Sequence, residues 1–256
     1  MGHGLSDPQR RFFRRNLLLE DIGEAGQEKL LKSRVLLIGL GGLGSPALLY
    51  LTAAGVGEIV IVDMDRVEES NLQRQVLYGE KDCGRRKTTC AHERVVQIRR
   101  DVRVVTRDER FSEANAAEIL SDCHFVIEAT DNLECKFLVN DACVALNKPF
   151  SHAGVAGLQG QTMTVLPGKG PCVRCVFGDL PNAGGLDTPV EQGILGPVAG
   201  VMGALQAVEA IKYLVGFGEL LVGRLLTWDA RGMVFREVRL PAEPGCEVCR
   251  NRKPAT

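Results

Sequence analysis

Residues 39–44 read Gly-Leu-Gly-Gly-Leu-Gly, directly after the apolar run Val35-Leu36-Leu37-Ile38 and directly before Ser45-Pro46 and a helical pattern. A strand, a tight glycine turn and a helix start leave bare N–H groups at a helix N-terminus, which is an anion site. Gly39, Gly41 and Gly44 fit the G-x-G-x-x-G spacing. A second strand, Glu58 to Val62, ends at Asp63. An acid about 20 residues beyond such a loop is the expected partner of ribose hydroxyls. The segment is therefore expected to bind a ligand with phosphates and a ribose. On its own this fingerprint favours NAD or FAD over ATP. The remaining residues reverse that preference.

The length of 256 residues allows one large α/β domain or two small ones. A net charge of -1 gives no reason to expect nucleic acid or an anionic membrane as partner. Nine cysteines, an odd number with no leader pattern before them, argue for a reducing, cytoplasmic compartment over a secreted disulfide scaffold. Met1-Gly2-His3-Gly4-Leu5-Ser6 fits a myristoylation pattern, but no basic patch or second lipid site follows. The uncharged run Gln192 to Val208 contains Pro197 and several glycines, and Glu209 and Lys212 continue its helical pattern. A buried core helix is expected there, not a membrane span.

Elements alternate along the first half. A polar segment with Arg10, Arg11, Arg14 and Arg15 leads to a helix near Gly26 to Lys32. Strand 34–38, helix 46–54, strand 58–62, a polar helix over 87–100 and a strand over Val102 to Thr106 follow. His124 to Ala129 reads as a strand, with Thr130-Asp131-Asn132 placed to cap a helix over Leu133 to Leu146. Phe150 to His152 is short and extended. Beyond Gly157, the segments 161–166, 225–228 and 233–240 read as antiparallel strands around a long helix from Pro197 to about Val215. The expected fold is α/β, a Rossmann-like doubly wound parallel sheet extended by antiparallel strands into one continuous mixed sheet. The loop between Gly178 and Gly193 has no periodicity and is read as mobile, ordering when a partner docks.

Cys172-Val-Arg-Cys175 and Cys246-Glu-Val-Cys249 are two C-x-x-C knuckles. In a reducing compartment such a set suits a closed, tetrahedral, structural zinc site. A redox pair would need only one knuckle, at a helix start. Cys83, Cys90, Cys123, Cys135 and Cys143 are expected to be small buried apolar residues.

In a doubly wound sheet, ligands sit outside the carboxyl ends of the strands. Asp63 and Asp131 both end such strands, and Asn71, Arg74 and Lys87 lie on the segments after Asp63. One pyrophosphate has little use for two cations and a second aspartate. A triphosphate, with roughly four negative charges, needs them when attack at phosphorus adds more. Arg74, Lys87 and a magnesium held by Asp131 would serve.

The combination of the glycine turn, Asp63-x-Asp65, Ser70-Asn71-Leu72-Gln73-Arg74-Gln75, Lys87, Thr130-Asp131-Asn132 and the two knuckles resembles the MoeB/ThiF/HesA family. These are bacterial relatives of ubiquitin-activating enzymes, and the resemblance runs from about Arg11 to Cys249. It implies a homodimer that uses ATP to adenylate the C-terminal Gly-Gly carboxylate of a small ubiquitin-like sulfur carrier, releasing pyrophosphate, as in molybdopterin or thiamine biosynthesis. It implies catalytic roles for Arg15, Arg74, Lys87 and Asp131, with Asp131 on magnesium and Arg15 reaching the neighbouring subunit's site. Nucleotide contacts fall to Gly39, Gly41, Gly42, Gly44, Asp63, Asp65, Asn71, Gln73 and Asn132. Cys172, Cys175, Cys246 and Cys249 match the family's zinc ligands. Residues 1–33 would form an arm serving the dimer and its ATP sites. Residues 34–256 would form the ATP-binding adenylyltransferase unit with the zinc-binding C-terminal part.

A C-terminal carboxylate, with a pKa near about 3.5, is already the nucleophile at neutral pH. No general base is needed, so His152, near the crevice, is expected to be a hydrogen-bonded structural histidine. Where some family members carry a Thr-Cys step, this chain reads Thr188-Pro189, and proline cannot form a covalent carrier adduct. The sequence also leaves no room for a rhodanese domain after Cys249. A separate sulfur donor, a cysteine desulfurase or rhodanese, is therefore expected. Competing expectations are adenylation of another carboxylate, in tRNA modification or in cysteine or metabolite sulfuration, and an NAD(P)-dependent oxidoreductase with a zinc staple.

Overall fold

The computed structural model describes residues 4–178 and 193–250. Strands β1 (Arg34–Ile38), β2 (Glu58–Val62), β3 (Arg103–Arg107), β4 (Phe125–Glu128) and β5 (Phe150–Ala156) run parallel. Strands β6 (Gln159–Val165), β7 (Arg224–Asp229) and β8 (Val234–Arg239) continue the same sheet antiparallel. The eight-stranded order is β3-β2-β1-β4-β5-β6-β7-β8. This is the expected mixed sheet. The chain winds outward from β1 to β3, then restarts at β4 on the other side of β1. The crevice at the carboxyl ends of β1 and β4 is the switch point where ligands bind in such sheets.

The central strands β1, β2 and β4 are apolar runs apart from a charged residue at one end (Arg34, Glu58 and Glu128), because both faces are covered. Val35, Leu37, Ile59, Ile61 and Ile127 share one buried cluster with residues of α4 (Gly44–Ala54), α5 (Lys87–Ile98) and α9 (Gly196–Val215). Leu36, Ile38, Val60, Val62 and Val126 face α6 (Glu113–Leu120) and α7 (Leu133–Ala145). By length and composition α9 is apolar enough to cross a membrane. Its Val198, Ala199, Met202, Ala207 and Ala210 are instead buried in the core, as expected of a core helix. Gly216 closes it in the left-handed region at φ 91°.

Several boundaries differ from expectation. The helix after the glycine turn starts at Gly44, so that Pro46 lies in its first turn, where a missing N–H is harmless. Strand β5 runs on to Ala156, because the β5–β6 hairpin pairs Gly154 with Gln161 and Ala156 with Gln159. Helix α6 has no counterpart in the sequence reading; it is short, and its start lies in a local exchange between Ser112 and Asn115. The Arg-rich segment forms α1 (Asp7–Phe12) and α2 (Arg14–Leu17) before α3 (Gly23–Leu31). It is packed down: Phe13 is buried, and Asn16 Nδ2 donates to Gln27 Oε1 and to the Ala54 carbonyl at 3.0 and 3.2 Å. Cys90, Cys123, Cys135 and Cys143 are buried, but Cys83 is exposed, on the turn that closes Glu80–Asp82. Residues 179–192, and with them Thr188-Pro189, lie outside the described residues.

Candidate active site

The glycine turn is shaped by contact. Gly39 has φ 95°, and a Cβ there would sit 2.6 Å from the Ala129 carbonyl oxygen at the end of β4. A Cβ on Gly44 would lie 2.0 Å from the Gly39 oxygen. These two glycines let the turn fold on itself and lie against β4. Gly42 faces α9 and Arg74: a Cβ there would meet Ala199 Cβ at 3.0 Å and Arg74 Cγ at 3.6 Å. At Gly41 the nearest atom to such a Cβ is Gln75 Nε2, at 3.7 Å.

Asp63 is bound to the turn. Its Oδ2 accepts the Leu40 N–H and its Oδ1 the Asp65 N–H, both at 2.8 Å. A carboxylate has about four lone-pair sites, so both oxygens retain acceptor capacity for ribose hydroxyls. Burial pushes the Asp63 carboxyl above its ordinary value, against the opposing pull of Lys87 and the two backbone N–H groups. Lys87, first residue of α5, is buried with its Nζ 2.8 Å from Asp65 Oδ2, while Asp65 is open to solvent. Arg74 Nη1 donates to the Ser70 carbonyl at 3.0 Å, and no carboxylate pairs with Arg74 among the described residues. Asn71 is buried, and its Oδ1 accepts the Glu68 N–H at 3.2 Å, which folds the segment that carries Arg74.

Asn132 caps α7, accepting the Cys135 N–H at 2.8 Å. Asp131, exposed, makes no side-chain hydrogen bond or ion pair among the described residues; Thr130 N lies 3.2 Å from the Cβ position on Gly39. Asp63, Arg74 and the Thr130–Asn132 turn thus lie directly against the glycine turn, Asp65 is joined to it through Asp63, and Lys87 through Asp65 and Asp63. Gln73 is exposed, its carbonyl near Gly196. Arg15, exposed on α2, makes no hydrogen bond or ion pair with any of these residues among the described residues.

Sequence reasoning missed three neighbours of the crevice. Gln75 is buried beside Gly41, with an Oε1 that has no partner. Tyr78 is buried, and its hydroxyl donates to the Leu40 carbonyl at 3.0 Å. Glu128, fully buried at the end of β4, binds Lys136 and His152. The signal for Gln75 was its place in the 70–75 segment. For Glu128 it was a charge within an otherwise apolar strand. Nothing in the sequence marks Tyr78. His152 Nδ1 lies 2.7 Å from Glu128 Oε2, consistent with the expected structural role.

The four cysteines of the knuckles converge. Their sulfurs lie within 4.8 Å of one another. Cys172 and Cys246 are 3.7 Å apart, Cys172 and Cys175 3.9 Å, and Cys175 and Cys249 3.4 Å. Four sulfurs about 2.3 Å from one tetrahedral zinc would be about 3.8 Å apart, so the cluster fits the metal. Helix α8 (Val173–Phe177) carries the first knuckle and docks on α7. There Asn140 Oδ1 accepts the Val173 N–H at 2.8 Å, and Arg174 forms a fork to Asp141.

A glycine turn at a switch point, flanked by cations, defines a nucleotide-binding α/β protein, and its four-cysteine cluster could hold a zinc ion. The chain belongs to the ThiF family, whose pattern matches residues 13–248. It is 40% identical over 237 residues to the SAMP-activating enzyme E1 of Haloferax volcanii, covering 93% of this chain and 87% of that one. It is 41% identical to the sulfur carrier protein adenylyltransferase of Thermus thermophilus, covering 93% and 89%. It is 38% identical to the adenylyltransferase and sulfurtransferase MOCS3 of Drosophila persimilis, but spans only 53% of that protein's length. Among solved structures, E. coli MccB shares the fold with a TM-score of 0.83 at 22% identity, over 98% of this chain and 75% of the other.

Proposed function

We propose that the protein uses ATP to adenylate the C-terminal Gly-Gly carboxylate of a small ubiquitin-like sulfur carrier, releasing pyrophosphate. The observation that carries this is the charge pattern at the glycine turn. One ribose-ready aspartate, one buried lysine, one arginine free of carboxylates among the described residues and one uncommitted aspartate at a strand end suit a triphosphate better than a dinucleotide's diphosphate. Relatives at about 40% identity, matched over most of their length, are named as an activating enzyme and a sulfur carrier adenylyltransferase, which supports the same reading.

The carrier's carboxylate is the nucleophile and attacks the α-phosphorus; pyrophosphate departs with the P–O bond pair. Arg74 and Lys87 hold the phosphates, and Asp131 would hold a magnesium ion, whose charge offsets that on the leaving group. Residues 1–33 act as an arm in a homodimer, delivering Arg15 to the neighbouring subunit's nucleotide; the absence of any hydrogen bond or ion pair from Arg15 to its own crevice among the described residues is consistent with this. Residues 34–256 form the ATP-binding unit. Pro189 carries no thiol, so no thioester forms at that position, and the proposed source of sulfur is a separate donor protein.

Carboxylate-dependent exchange of labelled pyrophosphate into ATP tests the reading. Exchange with a carrier ending in Gly-Gly is the expected result, and NADH binding without exchange would overturn it. Mixed dimers of Arg15→Ala and Asp131→Ala subunits should regain exchange that neither variant shows alone, since both defects then fall in one of the two sites. Failure to complement would remove the role of Arg15 in trans.

A further inference from the structure

The Asp131 side chain is exposed and makes no hydrogen bond or ion pair among the described residues. What fixes it is therefore its neighbours. Asn132 is tied by its cap on Cys135. Thr130 is tied twice to a single oxygen: its N–H and its hydroxyl donate to Glu128 Oε1 at 2.8 and 2.6 Å. We propose that Glu128 is the positioning residue for Asp131, its buried carboxylate holding the turn between β4 and α7 in the shape that aims Asp131 at the nucleotide.

The rest of the Glu128 environment supports this. Lys136, one turn into α7, donates to both carboxylate oxygens at 3.0 and 3.1 Å and to the Ala153 carbonyl at 2.7 Å. His152 on β5 meets Oε2 at 2.7 Å, and its ring lies 5.6 Å from that of Phe177 in α8. Gln206 of α9 donates to the Glu128 carbonyl at 2.8 Å and to that of Ser151 at 3.1 Å. Helix α7, strand β5 and helix α9 are each bonded to this one residue. On its other side the turn rests against Gly39, whose missing side chain leaves the Ala129 carbonyl room. A fully buried ion pair adds little net stability over apolar residues of the same volume, so stability alone does not explain its presence. It orders the groups bonded to it, and the only outward-facing group among them is the turn bearing Asp131.

The inference rests on Asp131 as metal ligand, so Asp131→Ala is the reference. The readout is Mn²⁺ affinity in the presence of α,β-methylene ATP, followed by electron paramagnetic resonance, with folding checked by thermal denaturation. Asp131→Ala should weaken Mn²⁺ at least about tenfold. Thr130→Val, which removes the hydroxyl bond and nothing buried, should weaken it about fivefold. Glu128→Met/Lys136→Met removes the acceptor and both charges and should weaken it at least about tenfold. Glu128→Gln/Lys136→Met keeps an acceptor for Thr130 and should stay within about threefold of wild type. Wild-type affinity in Thr130→Val, or in folded Met/Met protein, would overturn the positioning role while leaving Asp131's own role standing. If Asp131→Ala itself binds Mn²⁺ normally, the metal reading falls and the positioning role with it. Should the Met/Met protein fail to fold, Thr130→Val decides the question alone.

Discussion

Lys87→Met separates the two things a buried lysine can do. Its ammonium is nearly shut off from solvent, with 6% of the side chain exposed, yet its ion-pair partner Asp65 is 56% exposed. A pair with so open a partner is screened and contributes about 0.2–1 kcal/mol, while methionine fills nearly the same volume and needs no desolvation of a charge. Unfolding free energy should therefore change by less than about 1 kcal/mol. Loss of a fixed donor at a centre of developing negative charge is a larger matter, about 2.7–4 kcal/mol, or 10²–10³ in rate. Urea denaturation and pyrophosphate exchange on the same preparation read both quantities. Without Lys87 the burial of Asp63 is less opposed, so its carboxyl moves further up and the acid limb of nucleotide binding should shift to higher pH. A stability loss above about 2 kcal/mol would refute the assignment of Lys87 to phosphate chemistry. So would exchange within about tenfold of wild type, which corresponds to about 1.4 kcal/mol.

Gly44→Ala places a methyl 2.0 Å from the Gly39 carbonyl oxygen. It should destabilise by about 1–3 kcal/mol and abolish ATP binding in calorimetry. Zinc content should be one per chain, with X-ray absorption showing four sulfurs at about 2.3 Å. Cys246→Ser should lower it and cost about 2 kcal/mol or more, a fall of about 4–8 °C in Tm for a chain of this size. Acid should destabilise in two stages, followed by denaturation at a series of pH values. Burial holds the His152 pKa down despite its bond to Glu128, so the unfolded chain takes up the proton first and stability falls as pH drops below about 6.5. Burial would raise the Glu128 carboxyl, but the Lys136 charge and the His152 and Thr130 bonds outweigh it and hold it at about 2. Its stabilisation is full above the unfolded value of about 4.3 and is lost as pH falls through about 2.

The sequence by itself determined the parallel half of the sheet, because strands buried on both faces must be apolar runs, and Val35–Ile38 and Glu58–Val62 show it without tertiary information. It also determined the turn, since only glycine tolerates φ 95° at position 39 and the contact at position 44. The knuckles and the charged residues were legible as residue types at fixed spacing. What the tertiary structure alone decided is which groups meet. That Asp63 binds the Leu40 N–H, that Lys87 is committed to Asp65 and that Gln75, not Gln73, turns towards Gly41 depend on side-chain direction after packing. The Glu128–Lys136–His152 cluster joins two strands and a helix across residues that no local pattern connects. Sequence periodicity reports which side of an element is buried. It carries no information on the partner found there, because that partner is chosen by the register of strands distant in the chain.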